Sequence, residues 1–356
     1  MVSFLIRRIV YGFLVLFGVI TVVFFIFNIL PGDPARMMLG QRSDQAAVEE
    51  INRELGLDQS LLVQYGIYLN DLLPISYHKK DKASSLYYYP EKYGGLTIAE
   101  FDNSALVAKW PYLRKSYQSQ KKVSEILFES LPETAVLAIA SVMIALLFGI
   151  FFGIISALFQ DSWMDRFLLL LTTSGMALPS FFVGIIFAWL FGYVLSNYTG
   201  LNMTGSLYEV DDLGNGEYMN WSNLILPAIT LGIRPLAVII QLCRNSFLEV
   251  LSMDYIRTAK AKGLSFKRMI TKHAFRNAMN PVLTAVSGMF ASLMAGAVFV
   301  EIIFSWKGIG WEIVNALDKY DLPIVMGAVL IIATIFVAIN IVVDILYGVL
   351  DPRVRV

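Results

Sequence analysis

The sequence predicts an all-α membrane protein with six transmembrane helices, and three observations carry that fold class. Hydrophobic residues make up 57% of the chain and charged ones 16%, with a mean hydropathy of +0.63, far from the averages of soluble domains. Several apolar runs reach the roughly 20 residues that a helix needs to cross hydrocarbon while pairing its own backbone groups. They fall near 9–30, 134–158, 167–195, 224–243, 281–304 and 323–350. The charges are sorted by loop. Arg7 with Arg8, the loop 244–276 and the tail with Arg353 and Arg355 lie on one side of a six-span arrangement. The loop 196–223 on the other side holds Glu209, Asp211, Asp212 and Glu217 with no Lys or Arg. Short cytoplasmic loops collect basic residues, so both termini are expected in the cytoplasm.

Element by element, residues 1–30 form an N-terminal transmembrane helix. Its apolar run exceeds the 7–15 residues or so of a signal peptide and no small-x-small cleavage site precedes Pro31, so it is expected to be retained. Residues 31–131 form an extracytoplasmic insertion, predicted to be a helical lid. Ser43 caps a helix running through AVEEINREL to Gly56, a second helix covers 61–72, and Thr97 with Glu100 matches a capping box that would open a third. Residues 79–90, KKDKASSLYYYP, read as a surface loop. Basic and acidic residues nearly balance across the insertion, which argues against a nucleic-acid partner. Residues 132–356 form a five-helix core that carries the loop 244–278.

That loop is the most one-sided stretch of the chain. Arg244, Arg257, Lys260, Lys262, Lys267, Arg268, Lys272 and Arg276 face only Glu249 and Asp254. Residues 254–263 form a short helix with Ile256, Ala259 and Gly263 on one face, where small residues admit another backbone; Gly263 ends it and Leu264 offers an apolar knob. A lever for a soluble partner and a basic loop that only sets topology or touches anionic lipid both fit these residues.

Other chemistry is sparse. No GxxxxGK[ST] loop exists to cradle nucleotide phosphates, so no ATPase activity and no cofactor are expected. His78 and His273 read as separate surface histidines with no metal or catalytic cluster, and the single cysteine, Cys243, reads as packing.

The run RNSFLEVLSMDYIRTAKAKGLSFKRMITKHAFRNAMNPVL from Arg244 onward resembles the signature of the integral-membrane subunits of ATP-binding-cassette peptide importers, the oligopeptide and dipeptide permeases. Further similarity runs along the chain. It comprises LPGDPA at 30–35, LGLD at 55–58 with Gln64 and Tyr65, LPET at 131–134, LPSFFVG at 178–184, LPAITLG at 226–232, then Asn340, Asp344, Tyr347 and DPR at 351–353. The resemblance implies a type I importer permease (MetI-like) fold in a bacterial inner membrane. It also implies that the loop is the family's EAA motif, whose short helix plugs into a groove of a separate ATPase subunit. The ATPase-coupling residues would then be Asp254, Tyr255, Ile256, Arg257, Thr258, Ala259, Lys260, Ala261, Lys262, Gly263 and Leu264. Gly263 matches the motif's glycine, whereas its Glu is replaced by the run Thr258, Ala259 and Lys260. SWKGIG at 305–310 stands where the family often has a PGxG turn, and the stretch 73–122 is longer than the family pattern.

The implied partners are a second homologous permease, two ATPase subunits, an extracytoplasmic solute-binding protein and the lipid bilayer. The implied cargo is a peptide; nickel chelates or glutathione are the alternatives within the same machinery. Intramembrane polar residues bear on a different class of reading. Arg234 lies about ten residues into the fourth span, roughly 15 Å deep, and Pro235 after it removes a backbone donor. The two would line a wet path and meet a peptide carboxylate, or Arg234 would pair internally. Glu301 and Asp344 read as structural ties. A stand-alone secondary transporter or channel would use Arg234 and Asp344 as a charge relay, but leaves the basic loop unexplained. A nontransporting receptor would bind at the insertion without moving solute. Small residues at Ser287, Ala291 and Ala295, and at Gly288, Ser292 and Gly296, suit close packing against a second permease or within the chain, as do Gly149 and Gly153.

Overall fold

The computed structural model describes residues 2–29, 49, 52, 57–81, 84, 86–211 and 216–350. The helix expected after Ser43, the LPGDPA run, the DPR tail, and the packing of Ser287, Ala291, Ala295 and Gly296 lie outside the described residues. Among the described residues, four unbroken helices are long and apolar enough to span a membrane: α1 (Val2–Ile29) and the helices over Val123–Leu158, Ser222–Ser252 and Leu322–Ile345. Two bent pairs bring the total to six. The chain divides into two compact units.

One unit comprises Leu16–Glu129 and Glu312–Ile331. It contains α2 (Leu61–Leu72), β1 (Ile75–Lys79), α3 (Pro90–Tyr93), β2 (Leu96–Glu100) and β3 (Ser104–Ala108). The strands form an antiparallel sheet in the order β1-β3-β2, with Ser76 and Thr97 both opposite Val107. The insertion is therefore not the helical lid that the sequence predicts. Thr97 and Glu100 lie in β2: a tight return, with Phe101 N–H donating to the Ser104 carbonyl at 2.8 Å, lets this segment pair along β3. Cross-strand pairing outcompetes a single local cap.

The sheet buries Ser76, His78, Ala105 and Val107 on one face. His78 is fully buried rather than at the surface, its ring 5.2 Å from that of Tyr88 and 4.7 Å from that of Tyr93, with the Ser76 hydroxyl at 2.9 Å. Asp71 organises the polar centre beneath. It accepts from the Tyr93 hydroxyl at 3.0 Å and Arg114 Nε at 3.3 Å, and the Lys109 amine donates to its backbone carbonyl. Burial pushes the Lys109 amine down to about 8 and holds the His78 imidazole below its ordinary value. Val23 and Phe24 of α1 pack with Tyr68, Met326 and Leu330, and Asp321 accepts from the Ser116 hydroxyl at 2.5 Å and Tyr117 N–H at 2.9 Å.

The other unit comprises the chain up to Val15, Ser130–Trp311 and the chain from Ile332. It holds most of α4 (Val123–Leu158), then α5 (Trp163–Ala177) and α6 (Ser180–Phe187), which continues through a π-helical stretch Ala188–Val194. α5 and the arm from Ser180 to Val194 meet at 107°, where Leu178 and Pro179 interrupt the helix. Pro179 biases Leu178 to the extended backbone it adopts, ψ 133°. After α7 (Ser196–Thr199) and a hairpin of β4 (Tyr208–Val210) and β5 (Glu217–Met219) comes α8 (Ser222–Ser252). It is followed by α9 (Asp254–Ala261), α10 (Phe266–Arg268), a π-helical turn Met269–Ala274, α11 (Phe275–Gly296), α12 (Val298–Phe304), α13 (Ile309–Asp318) and α14 (Leu322–Leu350).

α8 is the hub, packing on α5, α6 and α11. Glycines set its closest approach to α4: a Cβ on Gly149 would lie 2.6 Å from the Ile239 side chain, and one on Gly153 would lie 2.6 Å from Cys243 Cβ. Cys243 is fully buried in that seam. Both glycines serve packing within the chain.

Candidate functional site

α9 is fixed from both ends. Met253 breaks from α8 in extended conformation, and Asp254 in the first turn complements the helix dipole. At the far end Gly263 has φ +77°, its N–H donates to the Lys260 carbonyl, and Leu264 N–H donates to the Ala259 carbonyl. This is a Schellman cap, and the left-handed residue in it is the one for which glycine carries no steric cost.

The two faces of α9 differ. Ile256 and Ala259 are buried, and Ile256 joins Phe247, Val250, Met269, Ile270 and Ala274 in one apolar cluster. The small-residue face is therefore occupied by the chain's own core. Asp254, Tyr255, Arg257, Thr258, Lys260, Ala261, Lys262 and Gly263 are exposed and Leu264 is half-buried. The Tyr255 hydroxyl accepts from Asn277 Nδ2 at 2.9 Å, which ties the exposed face to α11.

Nearly three turns before α9, an ion pair anchors the arm that carries it. Arg244 donates through Nε at 2.7 Å and Nη2 at 2.8 Å to the two carboxylate oxygens of Asp165, whose side chain is 1% exposed. Asp165 also accepts from the Ser156 hydroxyl at 2.5 Å and Asp161 N–H at 2.9 Å, while its own N–H donates to the capping Ser162. A bidentate, fully hydrogen-bonded pair of this kind locks the end of α4, the start of α5 and the lower part of α8 into one joint. Sequence reasoning passed over Asp165; its signal was an acid at the edge of an apolar run, opposite a basic residue expected on the same membrane side.

Toward the other end of this unit, Glu301 is wholly buried. Its carboxylate accepts from the Thr134 hydroxyl at 2.8 Å and Trp311 N–H at 3.1 Å, and Thr134 in turn accepts from Ile309 N–H at 2.8 Å. Trp306 Nε1 donates to the Glu133 carbonyl, and the Ser206 hydroxyl donates to the Glu133 carboxylate. A Cβ on Gly308 or Gly310 would collide with Glu301, so SWKGIG makes a tight turn without a proline, with Ser305 at φ +54°. Asp344 lies 3.1 Å from Arg8. Both acids join helices. Arg234 is different: exposed midway along α8, it has no partner among the described residues. No group of three metal-ligating side chains occurs among the described residues.

Residues 149–356 match the family described as binding-protein-dependent transport system inner membrane component, and residues 1–85 match its N-terminal companion. The dipeptide transport system permease protein DppB of Alkalihalophilus pseudofirmus is 33% identical over the whole of both chains. The di/tripeptide transport system permease protein DppB of Pseudomonas aeruginosa is 34% identical, covering 100% of this chain and 99% of its own. The glutathione transport system permease protein GsiC of Salmonella paratyphi A is 31% identical with the same coverage. Among solved structures, the inward-facing MetNI methionine ABC transporter shares the fold at a TM-score of 0.50 and 14% identity, over 64% of this chain and 97% of that one. The chain belongs to the binding-protein-dependent transport system inner membrane components, the permease subunits of ABC importers, whose ATPase is a separate subunit.

Proposed function

We propose that this chain is the translocating permease of a bacterial ATP-driven peptide importer. It works beside a second, homologous permease, two ATPase subunits and an extracytoplasmic solute-binding protein. Both termini and α9 face the cytoplasm, and the insertion faces outward. Peptide as cargo is supported by full-length relatives named for dipeptides and di- or tripeptides. Glutathione, named for another relative, is itself a small peptide and stays within the same class.

The observation that carries the mechanism is the two-sided character of α9. Its apolar face is spent on the chain's own core, so force applied to its polar, basic face passes into α8 and α11 instead of bending a loose loop. Closure of the ATPases on ATP would push residues 254–264, and the Arg244–Asp165 joint would make α8 move with α4 and α5. Access to a path beside Arg234 and Pro235 then switches from one membrane face to the other.

Replacing Gly263 tests this. A Cβ there meets open space, so the cost is conformational, about 1–2 kcal/mol for a left-handed non-glycine residue, and falls on the cap of α9. Gly263→Asp is expected to leave the chain in the membrane at normal level while abolishing ATP-dependent uptake and copurification of the ATPase. Uptake at the unmodified rate would refute the docking role.

A further inference from the structure

Arg234 is placed as few charged residues in a membrane helix are. It sits near the middle of α8, exposed on the chain's own surface, and forms no ion pair or hydrogen bond among the described residues. A guanidinium at that depth is not left facing lipid; it faces water, a partner or a ligand. Its surroundings along α8 favour water. At 100° per residue, Thr230, Arg234, Gln241 and Asn245 fall within about 60° of one another, so one polar stripe runs down the helix. Gln241 is committed to Thr172, 3.1 Å away. The Thr230 hydroxyl, one turn from Arg234, is buried with no partner. Pro235 has no N–H, so the Leu231 carbonyl, four residues before it, lacks its helical donor. A cation, an unsatisfied hydroxyl and a freed carbonyl therefore lie within one turn of each other.

On that basis, and resting on the peptide-importer reading above, we infer that Arg234 is a carboxylate-binding station in the translocation path, receiving the C-terminal carboxylate of the peptide in transit. The planar fork of Arg suits a carboxylate bidentately, which a lysine ammonium does not reproduce. Thr230 and Leu231 are themselves buried, so the guanidinium is the group that reaches the carboxylate.

The test uses the complete transporter with its binding protein in proteoliposomes, supplied with a casein digest whose carboxyls are either free or converted to amides. Because the same binding protein loads every variant, its own preference cancels when variants are compared. Arg234→Gln is expected to slow uptake of the free-carboxyl digest about tenfold, the scale of one lost charge-assisted hydrogen-bonding pair, while leaving amidated peptides at the rate of the unmodified complex. Arg234→Lys is expected to recover part of the free-carboxyl rate. If Arg234→Gln slows both digests equally, or neither, the station is refuted while the importer reading survives; an equal loss with dissociation of the complex would mark Arg234 as a tie to the second permease. If the unmodified complex moves no peptide with ATP, the importer reading falls as well.

Discussion

Arg234 and Arg244 stand ten residues apart in the same helix and are treated in opposite ways. Arg244 is 14% exposed and spends both its Nε and Nη2 on a carboxylate that is itself 1% exposed. Arg234 is exposed and makes no bond among the described residues. The first behaves as part of the scaffold, since removing one partner of a buried pair leaves the other charge stranded. The second has no such commitment among the described residues. A third basic residue extends the series: Arg257 on α9 lies 3.5 Å from Asp254, with 75% and 96% of the two side chains exposed. The same guanidinium thus has three uses in one segment, set by burial and partner count rather than by residue type.

The contrast can be broken most severely at Asp165. Asp165→Asn is expected to destabilise the chain by about 3–5 kcal/mol, lowering both its level in the membrane and its unfolding temperature in detergent. Adding Arg244→Met should restore part of the loss, because the stranded charge disappears with its partner. A single variant that melts like the parent would show the joint to be dispensable.

The seam above that joint is the next most sensitive place. Gly153→Ala forces a methyl against Cys243 and is expected to cost about 1–3 kcal/mol by overpacking, whereas the same change at Gly288, where a Cβ meets nothing, should be nearly silent. Parallel thermal melts of the two variants decide the point.

A smaller effect is expected in the insertion. Desolvation, with help from Lys109 and Lys92, keeps His78 neutral in the fold, against the Leu86 carbonyl and Asp71. Below the ordinary imidazole value the unfolded chain binds a proton that the folded one refuses, so stability falls as pH drops from 7 toward 5, by at most about 1.4 kcal/mol per pH unit. His78→Asn should flatten that slope in a urea titration repeated across this range. Least of all is expected from Asp254→Ala. Losing so exposed a pair should shift unfolding by no more than about 0.5 kcal/mol, whatever it does to coupling.

The spans and the signature loop were legible because hydropathy and charge placement act locally, and the membrane enforces them segment by segment. α2 fell on residues 61–72 as expected, and the short helix after Asp254 followed from its glycine stop. What escaped was set by distant partners. β1 pairs with β3 about 30 residues further on, and the capping box at Thr97 is a local preference that the hairpin of β2 with β3 overrides. His78 read as a surface residue because nothing in its own neighbourhood announces that Tyr88 and Tyr93 pack against it. What covers one face of α9 was hidden for the same reason. Ile256 and Ala259 share a side by periodicity, but only the turn Met269–Ala274 decides that this side is taken.

The break at Leu178 and Pro179 has its own corollary. Each arm of the bent pair is about fifteen residues long and rises roughly 22 Å, short of the roughly 30 Å of hydrocarbon that a straight rod must bridge. Helix ends at that elbow leave carbonyls with no donor inside their own coil, and acyl chains offer none. Those carbonyls need donors from protein or water, so the elbow is a place that bare lipid cannot line.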